Sequence, residues 1–287
     1  MDFSLSEEQV LLQDSVDKYV REHCDVERHR TLSQSKLGFE QQAWQQFAEL
    51  GWLSVPFAEA FGGIDGGAVD LMVVGEALGK GLVREPFLTT VVTCGGLLQR
   101  GASEAQQRRY IPDIIAGNTQ WALAFAETHS GYDLGKVATV AQKAGSEYLL
   151  SGRKTAVLNA HCADFLIVTA CSQGEGGETA GISLFIVDTQ SPGVELESFV
   201  AVDGSRGAHI QFNNVRLDAS QMLGEESSGL PLLEAVIDTN IVAIGAEALG
   251  AMQALLDATE EYTKTRKQFG QAISQFQVLQ HRMADMY

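Results

Sequence analysis

A chain of 287 residues with a formal net charge of −17 has room for a large core and more than one domain. Its acidity argues against a phosphate-gripping basic face, so no nucleic-acid partner is expected. Four scattered cysteines (Cys24, Cys94, Cys162, Cys171) without a C-x-x-C pair, and six histidines without metal-ligand spacing, suit reduced thiols in a cytoplasm and no metal centre.

The start, Met1-Asp2-Phe3-Ser4, is acidic and polar rather than signal-like. No apolar run reads as long enough to cross a bilayer, so no membrane partner is expected. Ser6 and Gln9 form a capping box, and Leu12, Val16, Tyr19 and Val20 line one face of the helix that follows. A helix is expected over 40–50, closed by Gly51, and then a Gly-rich loop over 55–67. Another helix should run over 69–78 and end at Gly79. Pro86 opens an apolar stretch, 87–98, and a short helix fits 106–115 before Gly117.

The texture changes near Thr119. Short β-rich runs follow at 120–125, 139–142, 148–152, 165–169, 182–187, 194–199 and 208–212. A surface loop is expected at 174–177, and the even spacing suggests a small barrel or sandwich. After Gly229-Leu230-Pro231, apolar residues from Leu233 through Ile237, Ile241, Ile244, Ala248, Met252 and Leu255 recur at threes and fours, predicting a long helix towards Thr265. Gly270 reads as a helix C-cap. A last helix begins near Ile273 and reaches Tyr287 without a cap, which suggests a longer native protein. The order gives an α+β fold in three blocks: helical 1–118, β-rich 119–223 and helical 224–287.

Three strings bear on chemistry. Trp121-Ala122-Leu123-Ala124-Phe125-Ala126-Glu127 leads into Thr128-His129-Ser130-Gly131-Tyr132-Asp133. A strand ending in such a Gly-bearing loop offers backbone N–H groups to a flat polar ring, although a plain turn with a surface Glu127 reads equally well. Gly152-Arg153-Lys154-Thr155-Ala156-Val157-Leu158-Asn159 is the second string. The third is Arg266-Lys267-Gln268-Phe269-Gly270, followed by Phe276-Gln277-Val278-Leu279-Gln280 and Ala284-Asp285-Met286. An Arg and an aromatic at a helix break can grip a phosphate and cover a ring. The bland alternative is a solvated Arg at a helix end.

Together these strings resemble the acyl-CoA dehydrogenase family over the whole chain. The resemblance implies a helical N-terminal domain, a central β-barrel or sandwich and a C-terminal helical bundle, incomplete here. It also implies FAD-dependent α,β-dehydrogenation of an acyl-CoA thioester, with electrons passed to an electron-transfer flavoprotein. FAD would then lie on Leu123, Phe125, Ala126, Gly131, Ala156, Val157 and Leu158. A neighbouring subunit would supply Arg266, Phe269, Phe276 and Gln277, and Tyr132 and Asp238 would edge the acyl-CoA. Such a shared site implies a homo- or hetero-oligomer, a dimer of dimers.

Several positions depart from the family pattern. Ala126 replaces a hydroxyl, Tyr132 a serine, Ala156 an aromatic and Leu158 a Thr or Ser that bonds the flavin. The proton-abstracting Glu comes from a C-terminal segment in most relatives. In a minority it stands at the position of Asn240, which cannot accept a proton. The aliphatic 156–159 string, the Tyr132 turn and Glu85-Pro86-Phe87 are most similar to the small subunit of pimeloyl-CoA dehydrogenase-type enzymes, so a medium-chain or dicarboxylic acyl group is expected. The alternatives are a catalytically degenerate structural subunit of a heteromeric enzyme and a non-redox acyl-CoA-binding protein.

Overall fold

Capping chemistry sets the first helix. In the computed structural model, which describes residues 4–172 and 181–287, the Gln9 N–H donates to Ser6 Oγ at 3.2 Å. The Ser6 N–H in turn donates to Gln9 Oε1 at 3.0 Å, and α1 (Glu7–His23) starts there. The loop expected at 174–177 lies outside the described residues.

Periodicity did not reveal α2 (Val26–Gln34), because it is mostly polar and buries only Leu32. By contrast α3 (Gln41–Glu49) buries Ala43, Trp44 and Phe47 as its spacing requires. The helix expected to stop at Gly79 continues: α4 is Ala68–Lys80. The apolar stretch after Pro86 is a π-helical segment, Phe87–Gly95, followed by α5 (Gly96–Gly101) and α6 (Glu104–Ile115). The Thr93 hydroxyl of the π-helix donates to Leu88 O, five residues back, at 2.8 Å, which suits the wider turn.

The β-rich block contains β1 (Trp121–Ala124), β2 (Val140–Ala144), β3 (Glu147–Leu158) and β4 (Phe165–Cys171). It continues with β5 (Ile182–Asp188), β6 (Val194–Val200), β7 (Arg206–Asp218) and β8 (Met222–Leu223). They form one eight-stranded sheet in the order β6-β7-β3-β2-β4-β5-β8, with β1 pairing only with β4. A single residue pair, Val140 with Cys171, joins β2 to β4. The sheet folds over there, so Ala122, Tyr148, Leu150, Leu166, Phe185 and Phe212 share one core.

Helix α7 (Gly229–Thr265) follows. A short hairpin, β9 (Lys267–Gln268) and β10 (Gln271–Ala272), leads to α8 (Gln277–Met286). Two expectations change here. Gly270 does not cap a helix: Phe269 (φ 52°) and Gly270 (φ 82°) are the central pair of a two-residue turn in which Gln268 faces Gln271. Both residues have the positive φ that such hairpin turns demand. The expectation of no span-length apolar segment also fails, since α7 is long and apolar enough, by length and composition, to cross a membrane.

By contacts the chain divides into two compact units. One comprises Glu27–Leu71 and Arg84–Ala243. The other comprises Met72–Val83, Ile244–Tyr287 and the described part of Met1–Val26. Within the second of these, α4 and α7 cross backbone to backbone. A Cβ on Gly79 would stand 2.0 Å from Glu247 O, and one on Gly250 would stand 1.9 Å from Glu76 O. Glycine is required there for close approach, not for a helix end.

Gly250→Ala should therefore force the helices apart and destabilise by about 1–3 kcal/mol, read as a lower urea midpoint. Gly245→Ala on the same helix meets nothing within 4 Å and should stabilise by roughly 0.5–1 kcal/mol. Equal midpoints for the two variants would refute the backbone crossing.

Candidate functional site

Strand alternation in β3 places Lys154 inward, where its side chain has 0% exposure. A buried ammonium needs a carboxylate and full use of its protons. Lys154 Nζ donates to Glu127 Oε1 at 2.6 Å, to Thr169 Oγ1 at 2.8 Å and to Phe125 O at 3.3 Å. Glu127 also accepts from Thr139 Oγ1 (2.7 Å), the Thr139 N–H (3.0 Å) and the Ala138 N–H (2.8 Å). Gly152 makes room for this arrangement: a Cβ there would meet Thr139 Oγ1 at 2.6 Å.

Burial pushes the Glu127 carboxyl up, but the Lys154 charge and the hydrogen bonds from Lys154, Thr139 and Ala138 outweigh it and hold the group below its ordinary value. Burial pushes Lys154 down to about 8 against the pull of Glu127. At neutral pH the 2.6 Å contact is an ion pair.

Around this pair lie the residues that the sequence singled out. The Thr155 N–H donates to Ala126 O at 2.8 Å. The β3–β7 ladder slips between Lys154 and Val157. Ala156 takes φ 52° at that slip, and Asn159 has φ 64°, both costly for residues with a Cβ. The slip leaves Ala156 exposed and Leu158 50% exposed, but it turns the Val157 side chain into the core. The Val157 backbone pairs with Ala208 in the ladder, and its carbonyl accepts from the Ala160 N–H at 3.4 Å. Asn159 Nδ2 donates to Trp121 O at 3.2 Å, closing the end of β3 onto β1.

Leu123 is buried, Phe125 and Ala126 are half-buried, and Gly131 and Tyr132 are exposed. The amide N–H groups of Ala126, Gly131 and Tyr132 have no partner among the described residues. The Thr155–Ala126 and Asn159–Trp121 bonds therefore bring Phe125 and Ala126 alongside the Ala156–Leu158 stretch. His209 also belongs here. Its Nδ1 accepts from the Ala156 N–H at 3.3 Å, and its ring stacks on Phe199 with centroids 5.2 Å apart.

In the same unit, Asn240 of α7 is buried, with Thr93 Oγ1 3.1 Å from its Oδ1. Asp238 is exposed, and its side chain has no hydrogen-bond partner among the described residues. Arg266, Phe269, Phe276 and Gln277 belong to the other unit. The Arg266 side chain is exposed, and Phe269 is 92% exposed on its strained turn, edge-on to Phe276 at 6.1 Å. Gln277 opens α8. Sequence reasoning missed Lys154, Thr139, Thr169, His209 and Thr93. The one available signal was a lysine at an inward register of a strand.

Comparison with known proteins agrees with this architecture. The acyl-CoA dehydrogenase N-terminal, middle and C-terminal domain models match residues 6–118, 122–215 and 227–287. A probable acyl-CoA dehydrogenase of Bacillus subtilis (strain 168), YngJ, is 31% identical over 291 residues, covering 100% of this chain and 76% of that protein. A solved structure of PigA with FAD and proline matches with TM-score 0.92 and 29% identity, over 100% of this chain and 76% of that one. The ChsE4-ChsE5 complex from Mycobacterium tuberculosis matches with TM-score 0.87 and 27% identity, over 99% of this chain and 74% of that one. The chain belongs to the acyl-CoA dehydrogenase family, whose members are FAD-dependent oxidoreductases.

Glu127→Gln strands the Lys154 charge and should cost about 3–5 kcal/mol in chemical denaturation. A cost near zero would mean that the pair is not ionised. Because the folded Glu127 carboxyl lies below its ordinary value, its contribution is complete above the ordinary carboxylate range and is lost as pH falls through the lower folded value. Stability of the native protein should fall more steeply in that acid window than stability of Lys154→Met/Glu127→Leu. Parallel acid limbs would refute the assignment.

Proposed function

We propose that this chain is an FAD-dependent acyl-CoA dehydrogenase, or a subunit of one. It carries out α,β-dehydrogenation of a medium-chain or dicarboxylic acyl-CoA in the cytoplasm and hands electrons to an electron-transfer flavoprotein. The observation that carries this reading is the unpartnered amide of Ala126 alongside exposed Ala156 and Leu158, followed in the next turn by the unpartnered amides of Gly131 and Tyr132. That surface fits the isoalloxazine of FAD: backbone N–H groups for its polar edge and an apolar wall with no bulky side chain in the way. FAD, when bound, supplies the acceptor for the hydride of the substrate β-carbon.

The other roles belong to this chain's residues. Leu123, Phe125 and the backbone of Val157 frame the ring. Arg266, Phe269, Phe276 and Gln277 of a neighbouring subunit cover the cofactor, with the guanidinium gripping its phosphates. Tyr132 and Asp238 edge the acyl-CoA. Asn240 carries an amide where a minority of relatives carry the base, and an amide cannot take the α-proton. In most relatives the base comes from a C-terminal segment that these 287 residues do not include, so none of them is assigned that role. A second reading, a structural subunit of a heteromeric dehydrogenase, is favoured by the loss of hydroxyls at Ala126 and Leu158 and of an aromatic at Ala156, together with Asn240.

The visible absorption spectrum of the purified chain, alone and co-expressed with a candidate large subunit, tests this reading. A bound-flavin band that bleaches with acyl-CoA is the expected result. Absence of flavin from both samples would overturn it in favour of the structural subunit.

A further inference from the structure

We propose that Lys154 and Glu127 form a positioning pair for the cofactor, aligning two strand ends that the sheet itself does not hold together. This rests on the FAD-binding reading above. The positions assigned to FAD come from the residues just after β1 (Phe125, Ala126) and the slipped end of β3 (Ala156, Leu158). In the sheet β1 pairs with β4, whereas β3 pairs with β7 and β2. No ladder therefore fixes one half of the surface against the other.

Four contacts do that work. Lys154 Nζ reaches Glu127 Oε1 at 2.6 Å and Phe125 O at 3.3 Å. The Thr155 N–H reaches Ala126 O at 2.8 Å, and Asn159 Nδ2 reaches Trp121 O at 3.2 Å. Three of the four involve Lys154 or the residue after it. Thr139, Ala138 and Thr169 extend the same network to the entry of β2 and to β4.

Stability alone gives no reason to keep such a pair. Replacing a buried ion pair with well-packed apolar side chains is commonly neutral or stabilising. Geometry gives one. With no hydroxyl or aromatic at Ala126, Ala156 and Leu158, recognition falls on backbone amides, and a backbone donor binds only as well as it is placed. Directional charge-assisted bonds at 2.6–2.8 Å fix placement in a way that apolar packing does not.

Stability and cofactor affinity should therefore separate. The full chain, stripped of flavin, is titrated with FAD by flavin fluorescence, and its urea midpoint and bound-flavin absorption spectrum are recorded. Lys154→Met/Glu127→Leu should keep a midpoint close to that of the native chain. Its FAD binding should be roughly 10-fold weaker, and its bound-flavin spectrum should be shifted. A folded double variant with native affinity and spectrum would overturn the proposal. Thr169→Val removes one of the three acceptors of Lys154 without stranding a charge, and it serves if the double variant does not fold. About 3-fold weaker FAD binding at an unchanged midpoint supports the pair, and unchanged binding overturns it. Failure of the native chain itself to take up FAD would defeat the functional reading, and this inference with it, before any variant is compared.

Discussion

An ammonium with no exposed surface in the middle of a β core dictates much of what surrounds it. Lys154 has to find a carboxylate and two further acceptors. Glu127 and the Phe125 carbonyl come from the segment after β1, and Thr169 comes from β4. Glu127 in turn needs donors for its remaining lone pairs, which ties down Ala138 and Thr139 where β2 begins. Removing the cation leaves the carboxylate buried among donors, and removing the carboxylate leaves the cation stranded. The network is thus all-or-none, and the candidate surface inherits that rigidity.

The strain nearby is intelligible on the same basis. Ala156 and Asn159 hold positive φ, which an unsupported strand end would relax. Lys154 and Thr155 are anchored on one side of this stretch, and Asn159 is anchored to Trp121 and Gln120 on the other. Between the anchors the chain has to fit one extra residue, so the ladder slips and Ala156 is pushed out. That slip turns Val157 inward and Leu158 outward, so two neighbours that look alike in sequence sit in opposite environments.

This explains what was legible in the sequence and what was not. Local signals read well: the Ser6–Gln9 box, the apolar runs of β4 and β5, the periodicity of α7, and the strings at 121–133 and 266–287. Non-local facts did not. Nothing in sequence says that Lys154 meets Glu127, because strand order decides it and the two strands concerned are not ladder neighbours. Gly79 and Gly270 were misread for a related reason. A glycine looks the same whether it ends a helix, admits another backbone or bends a hairpin, and only the partner (Glu247 O for Gly79, the β9–β10 register for Gly270) distinguishes these cases. The π-helical segment was hidden too, since its wider turn rests on Thr93 bonding back to Leu88 O.

The same segment connects the strand surface to α7. Thr90 binds the backbone of Trp121 at the start of β1, donating to its carbonyl and accepting from its N–H, while Thr93 meets Asn240. Two hydroxyls three residues apart thus link β1 to Asn240 of α7. An Asn there is well suited to being held: it is buried, neutral and hydrogen-bonded, and a carboxylate at the same place would have to shed water and shift its pKa to stay. Here the amide takes up the Thr93 contact and ties α7 to the π-helical segment, so this position serves the scaffold.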